Sequence, residues 1–318
     1  MTRSPARPLS VPRESERGLA VPAWSHFLRK TGIRFSRKCS GLRLRHGALL
    51  LAALLAGCTS TGMPTSEPDP NIAATSTNIA SLSEVVQRNP SDPQAYNVRG
   101  AVLGRAGRNE EALADFNKAI SLDPNFAQAY ANRGLVYRQV RKYDLALSDY
   151  NKAIELDASY APAHLGRGMV YRQQGNALQA LQDFNKALEL RPDNAQAYYN
   201  RGLLYQGQRQ HDFAIDDLGT AITLSQQQAE PRVARAQSYL AKGDNKAAAD
   251  DLDEAVQVDP QNLQAWTTRG LAYERLGDKE KAAGSYAKAL IISKDYAPAK
   301  KGFARVGGRP GQTYQTFN

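Results

Sequence analysis

Six arginines stand at 34-residue intervals: Arg99, Arg133, Arg167, Arg201, Arg235 and Arg269. Sixteen residues after the first five come Asp115, Asp149, Asp183, Asp217 and Asp251, and Ser285 takes the sixth place. A guanidinium and a carboxylate can meet through two parallel charge-assisted hydrogen bonds. The arginines therefore either form a positive row for an acidic partner, or each is neutralised by the aspartate of its own unit. In a helical hairpin that turns midway between them, the two side chains fall at one height on opposing helices. Internal Arg–Asp pairs, with a structural role, are the expected use.

Other chemistry-bearing side chains are sparse. Beyond residue 57 there are two histidines, His164 and His211, and one cysteine, Cys58. His164 takes a place where other units have Tyr96, Tyr130, Tyr198 and Trp266, so packing is expected of it. His211 is expected in a solvated turn. The neighbours Asp216-Asp217 and Asp250-Asp251 diverge on a helix and make no acid–base couple. No His/Cys spacing fits a metal site, and no phosphate- or dinucleotide-binding fingerprint occurs. No catalytic residue, metal or cofactor is expected. The net charge of +10 would suit nucleic acid, but it is concentrated at one end. Residues 1–57 carry eleven Lys and Arg against two Glu, leaving the other 261 residues a net of +1. A near-neutral body has no electrostatic footprint for nucleic acid, and no such partner is expected.

Residues 47–57, Gly-Ala-Leu-Leu-Leu-Ala-Ala-Leu-Leu-Ala-Gly, are uncharged and follow Arg43 and Arg45. At about 1.5 Å per residue, the run is too short for about 30 Å of hydrocarbon. Its charged, apolar, small-residue order fits an export signal. Leu55-Ala56-Gly57-Cys58 resembles the lipobox of bacterial lipoproteins. That resemblance implies cleavage before Cys58 and lipidation of Cys58. Thr59, standing where Asp would retain the protein at the inner membrane, implies the outer membrane and a body facing the periplasm. Residues 1–57 are thus read as a signal peptide behind an over-long or disordered extension, with a start expected nearer Leu42. Residues 58–77 are read as a lipid-anchored Ser/Thr/Pro tether.

Holding the arginines and aspartates in this relation requires a repeated unit. Six units span 93–126, 127–160, 161–194, 195–228, 229–262 and 263–296. Place 8 is Gly100, Gly134, Gly168, Gly202, Ala236 and Gly270. Places 20 and 27 are alanine in every unit, from Ala112 and Ala119 to Ala282 and Ala289. Place 24 is large: Phe116, Tyr150, Phe184, Leu218, Leu252 and Tyr286. This pattern resembles the tetratricopeptide repeat. The resemblance implies an all-α, right-handed solenoid of helix–turn–helix units, in which a unit buries its faces only against its neighbours. Residues 78–90 and 297–306 are read as capping helices, with Leu82 and Val85 facing inward. The solenoid is placed at 78–306 and a flexible tail at 307–318.

In this family helix A lines a concave wall. Asn132, Arg138, Arg172, Tyr199 and Asn200 are the candidate partner-binding groove, with Tyr199 as an exposed aromatic anchor. The carboxylate-clamp form of the repeat would need five specific side chains. Only Asn132 matches, while Asn97, Ala101, Pro162 and Gly166 stand at the rest, so chaperone tails are not expected. Lipobox, tether and solenoid together resemble the NlpI-type lipoproteins, which bring a periplasmic protease and peptidoglycan hydrolases together. The expected function is a non-catalytic envelope scaffold that binds proteins or peptides. The alternatives are an assembly factor for outer-membrane proteins or pili, and an envelope enzyme with an unrecognised site.

Overall fold

The computed structural model describes residues 70–314, among which there are fourteen α-helices and no strand. Helix α1 is Pro70–Arg88. The A helices of the six units are α2 (Pro93–Arg105), α4 (Ala127–Gln139), α6 (Ala161–Gln173), α8 (Ala195–Gly207), α10 (Glu230–Lys242) and α12 (Leu263–Leu276). The B helices are α3 (Asn109–Leu122), α5 (Tyr143–Leu156), α7 (Ala177–Leu190), α9 (His211–Leu224), α11 (Asn245–Val258) and α13 (Lys279–Ile292). Helix α14, Ala297–Arg305, closes the stack.

The small residues explain the closeness of each hairpin. The alanines of places 20 and 27 are fully buried in all six units. A β-carbon on Gly168 would stand 2.8 Å from the Phe184 ring, and one on Gly270 would stand 2.6 Å from Tyr286. Place 8 is small because the place-24 side chain lies flat on it. Fully burying such a side chain contributes about 1.5–3 kcal/mol. The turn between A and B needs one left-handed residue. Gly107, Gly175, Gly243 and Gly277 supply it with φ of 75–86°. Arg141 and Arg209 hold the same place at φ 59° and 60°, a conformation less favourable for a side chain.

Each A helix touches the A helix of the next unit, whereas successive B helices do not meet. The A row is thus the compressed, inner side of the stack and the B row the fanned, outer side. Side chains on the free face of the A helices consequently share one groove.

Three boundary expectations change. Helix α1 begins at Pro70, inside the segment read as tether, because proline at a first helical position loses no hydrogen bond. On that helix Ile79 and Val86 are buried and Leu82, as expected, packs against the cluster that holds Ile79, while Val85 is exposed and Val86 takes its inward place. The tail is not wholly free, since the Tyr314 ring packs edge-on against Phe303 at 5.7 Å. Cys58, the leader and most of the tether lie outside the described residues, as do residues 315–318.

Candidate protein-binding groove

Two sets of polar side chains lie on the A helices. The first is the arginine row. In the first five units Nε and Nη2 of the arginine donate to both carboxylate oxygens of the aspartate 16 residues on, at 2.6–2.9 Å. The aspartates are buried. The third guanidinium nitrogen reaches back one unit. Arg133, Arg167 and Arg201 donate to Asn117, Asn151 and Asn185 at 2.7 Å. Arg99 donates to Ser83 of α1 at 3.3 Å. Each of these arginines therefore ties an A helix to its own B helix and to the preceding one.

Aromatic faces complete the setting. Arg133 lies over Tyr130 and Tyr137 at 5.5 and 6.0 Å. In the sixth unit the acid changes sides: Arg269 donates to Asp253 of the preceding unit at 2.6 Å and to Ser285 at 2.7 Å. His164 is buried, with Nδ1 3.5 Å from Asp183 and Nε2 3.1 Å from the Ala158 carbonyl. Burial alone would raise Asp183, but hydrogen bonds and charge from Arg167 and His164 outweigh it and hold the carboxyl below its ordinary value. Asp149 lacks the histidine, and there burial wins over Arg133 and raises the carboxyl.

The second set is the groove. Arg138, Arg172 and Tyr199 are half-buried on three successive A helices, α4, α6 and α8. Burial lowers the Arg172 guanidinium, the Tyr199 phenol opposes that effect, and the charge of Arg138 adds to it. The three side chains therefore share one electrostatic neighbourhood. Neither Arg138 nor Arg172 makes an ion pair among the described residues, and the Nε of each is buried without an acceptor. Arg172 donates to Asn200 Oδ1 at 3.2 Å.

Four expectations need correction here. Asn200 is 2% exposed and donates to the Gln196 carbonyl, so it positions Arg172 instead of meeting a partner. Tyr199 is half-buried against a cluster of Ala214, Leu218 and Ala234, because its place on α8 faces the next unit as well as the groove. Asn132 is partly committed, donating to the buried Asn97 at 2.9 Å. His211 opens α9 and is half-buried, with Nδ1 enclosed, instead of lying in a solvated turn.

Sequence reasoning missed a buried tyrosine contact that joins one unit to the next. Tyr150 of α5 lies so close to α6 that a β-carbon on Gly166 would fall 2.4 Å from its ring and 2.6 Å from its hydroxyl oxygen. Burial pushes this phenol up to about 12, and the neighbouring Arg138 pulls it the other way. Tyr286 repeats the contact on Gly302 of α14, where a β-carbon would lie 2.2 Å from the ring. Its hydroxyl donates to Glu274 at 2.7 Å, and Glu274 also accepts from Arg305 at 2.8 and 2.9 Å. The signal was present in the sequence. Only the two tyrosines of place 24 are followed 16 residues later by glycine.

Among the described residues no cluster of His, Cys, Asp and Glu could hold a metal, and no helix is long and apolar enough to cross a membrane.

Fold and repeat define a class. Family models described as TPR repeat match residues 105–140 and 168–208, and models described as tetratricopeptide repeat match 127–160, 195–228 and 233–298. The chain belongs to the tetratricopeptide-repeat family. Such repeats typically form non-catalytic protein-interaction scaffolds.

Similar solved structures include the APC/C hetero-tetramer Cut9–Hcn1, at 20% identity and TM-score 0.65. That match covers 73% of this chain and 46% of the other, so this chain spans less than half its length. PilF of Pseudomonas aeruginosa matches at 20% identity and TM-score 0.62, covering 69% and 99%. YrrB, described as a TPR protein with an unusual peptide-binding site, matches at 28% identity and TM-score 0.50, covering 58% and 96%. A search of the curated proteins finds no match.

Proposed function

We propose that this protein is a non-catalytic scaffold that holds extended segments of other proteins in the groove of its A helices, and that lipid on Cys58 tethers it to the outer membrane, facing the periplasm. The observation that carries the binding part is the cluster of Arg138, Arg172 and Tyr199 on three successive inner helices, half-buried and, among the described residues, without an ion-pair partner. Arginine and tyrosine in a partly desolvated concavity are the side chains that most often anchor interfaces. The likeness to YrrB, a peptide-binding protein of the same fold, supports the same use. The tether rests on the sequence order from Arg43 to Cys58. Several acyl chains, as the lipoprotein class carries, hold stably where one would not. The clients in this reading are periplasmic proteases or peptidoglycan hydrolases brought together near the envelope.

Two measurements test it. Intact mass of the membrane-extracted protein should show a chain starting at residue 58 with added acyl mass, and Cys58→Ser should leave the membrane fraction or stall unprocessed. A photo-crosslinker placed at Gln139 or Gln173, beside the groove arginines, should capture proteins in intact cells, whereas one at Lys186 on the outer row should not. Equal capture from both sides would remove the groove from the proposal.

A further inference from the structure

The C-terminal junction and the α5–α6 junction share one construction with one part exchanged. At the C-terminal junction the Tyr286 hydroxyl lies over Gly302, and the carboxylate of Glu274 accepts from both Tyr286 and Arg305. At α5–α6 the Tyr150 hydroxyl lies over Gly166, and Arg138 occupies the place in α4 that Glu274 occupies in α12. The place in α6 equivalent to Arg305 is Met169. The first site therefore closes with an acid and a base from the chain itself. The second has a base and, among the described residues, no acid.

One turn further along α6, Arg172 adds a second cation, which donates to Asn200 and has an orphaned Nε. Arg105, at the same end of α2, is exposed and makes no ion pair among the described residues. Glu230, at the start of α10, acts on the Tyr199 phenol but makes no ion pair with Arg172. Three successive A helices thus present cations at one end of the groove, and among the described residues no acid pairs with them.

We infer that Arg172 and Arg138, the latter beside the buried Tyr150 hydroxyl, form a subsite for a side-chain carboxylate of an extended peptide, an aspartate or glutamate at an internal position. Charge complementarity selects an acidic occupant, and the internal precedent, Glu274 on tyrosine and arginine, selects a side-chain carboxylate. A carboxylate brought to two neighbouring cations offsets the repulsion that Arg138 exerts on Arg172 and accepts charge-assisted hydrogen bonds from their guanidinium groups. This deepens the scaffold reading and rests on it, since it presumes that the groove takes peptides.

The test is selection of a random 12-residue peptide library on the purified full chain, with each recovered peptide measured by fluorescence polarisation. The expected result is enrichment of internal Asp or Glu. Replacing that acid by Gln or Asn should weaken binding at least tenfold, as should Arg138→Gln or Arg172→Gln, with amidation of the peptide C-terminus having no effect. Arg172→Glu should restore binding to peptides in which the acid is replaced by Lys, a readout that a merely misfolded variant cannot give. Binders without acid overturn this inference and leave the scaffold reading standing. Sensitivity to C-terminal amidation instead assigns the site to a chain terminus and also overturns it. Recovery of no peptide at all counts against both.

Discussion

At the C-terminal junction a tyrosine reaches across a glycine to a glutamate that is already held by Arg305. At the α5–α6 junction a tyrosine reaches across a glycine to an arginine that pairs with no acid among the described residues. The packing is the same and the charge is opposite. Stacking of these repeats is therefore indifferent to the groove end of the A helix, because the stack is held elsewhere. It is held by the buried small residues and by the arginine row, where five arginines each meet a buried aspartate twice. A row that neutralises its own charges leaves the groove free to stay electrostatically incomplete.

The largest expected effect falls on that row. Arg167 and Arg172 lie five residues apart on α6, one paired at both oxygens of Asp183 and the other paired with no acid. Arg167→Leu leaves the buried Asp183 with only a 3.5 Å contact to His164. Breaking a buried pair in this way costs about 3–5 kcal/mol. Urea unfolding should show a loss of about 3 kcal/mol for Arg167→Leu. A loss below about 1 kcal/mol would mean that the row does not hold the stack, and the contrast with the groove would collapse.

The next effect should be equal at both junctions. A β-carbon at Gly302 or Gly166 would stand 2.2–2.4 Å from a tyrosine ring. Overpacking of this kind costs about 1–3 kcal/mol. Gly302→Ala and Gly166→Ala should each lower stability by that amount, and Tyr286→Leu or Tyr150→Leu should recover part of it in the double variant. Unequal losses would show that the shared packing is not shared in energy.

Much of this fold could be read from spacing alone. The 34-residue recurrence of Gly, Ala, Ala and a large residue placed the hairpins, since only small residues at places 8, 20 and 27 allow ring-on-glycine contact. The sixteen-residue step from Arg to Asp likewise set the two partners at one height. The groove was less legible. A side chain on an A helix divides its surface between the groove and the next unit, and periodicity does not say in what proportion. Tyr199 and Asn200 were read as exposed for this reason, yet one is half-buried against Leu218 and the other is enclosed. The junction tyrosines went unread because their contact joins different units. It becomes visible only when place 24 of one is compared with place 6 of the next.

The smallest effect is also the sharpest comparison. Glu274→Gln removes the acceptor that Tyr286 and Arg305 share. Hydrogen bonds to a charged group contribute about 1.5–3 kcal/mol, and Arg305 is half exposed to solvent that screens its part, so a loss of about 1 kcal/mol is expected near pH 7. The hydrogen bond from Arg305 holds the Glu274 carboxyl below its ordinary value. Its contribution is therefore fully present above the unfolded value of about 4.3 and disappears as pH falls through the lower folded one. The stability gap between Glu274→Gln and the parent protein should accordingly close as pH is taken below about 4. Arg138→Gln, at the equivalent place on α4, removes a cation that has no acid and that adds to the cost of charging Arg172. It should change stability by less than about 0.5 kcal/mol, in the stabilising direction where it changes it at all. Thermal melts of both variants across pH 3–8 decide the matter. If Arg138→Gln proves as costly as Glu274→Gln, Arg138 has a structural partner after all, and the two junctions differ in sequence without differing in kind.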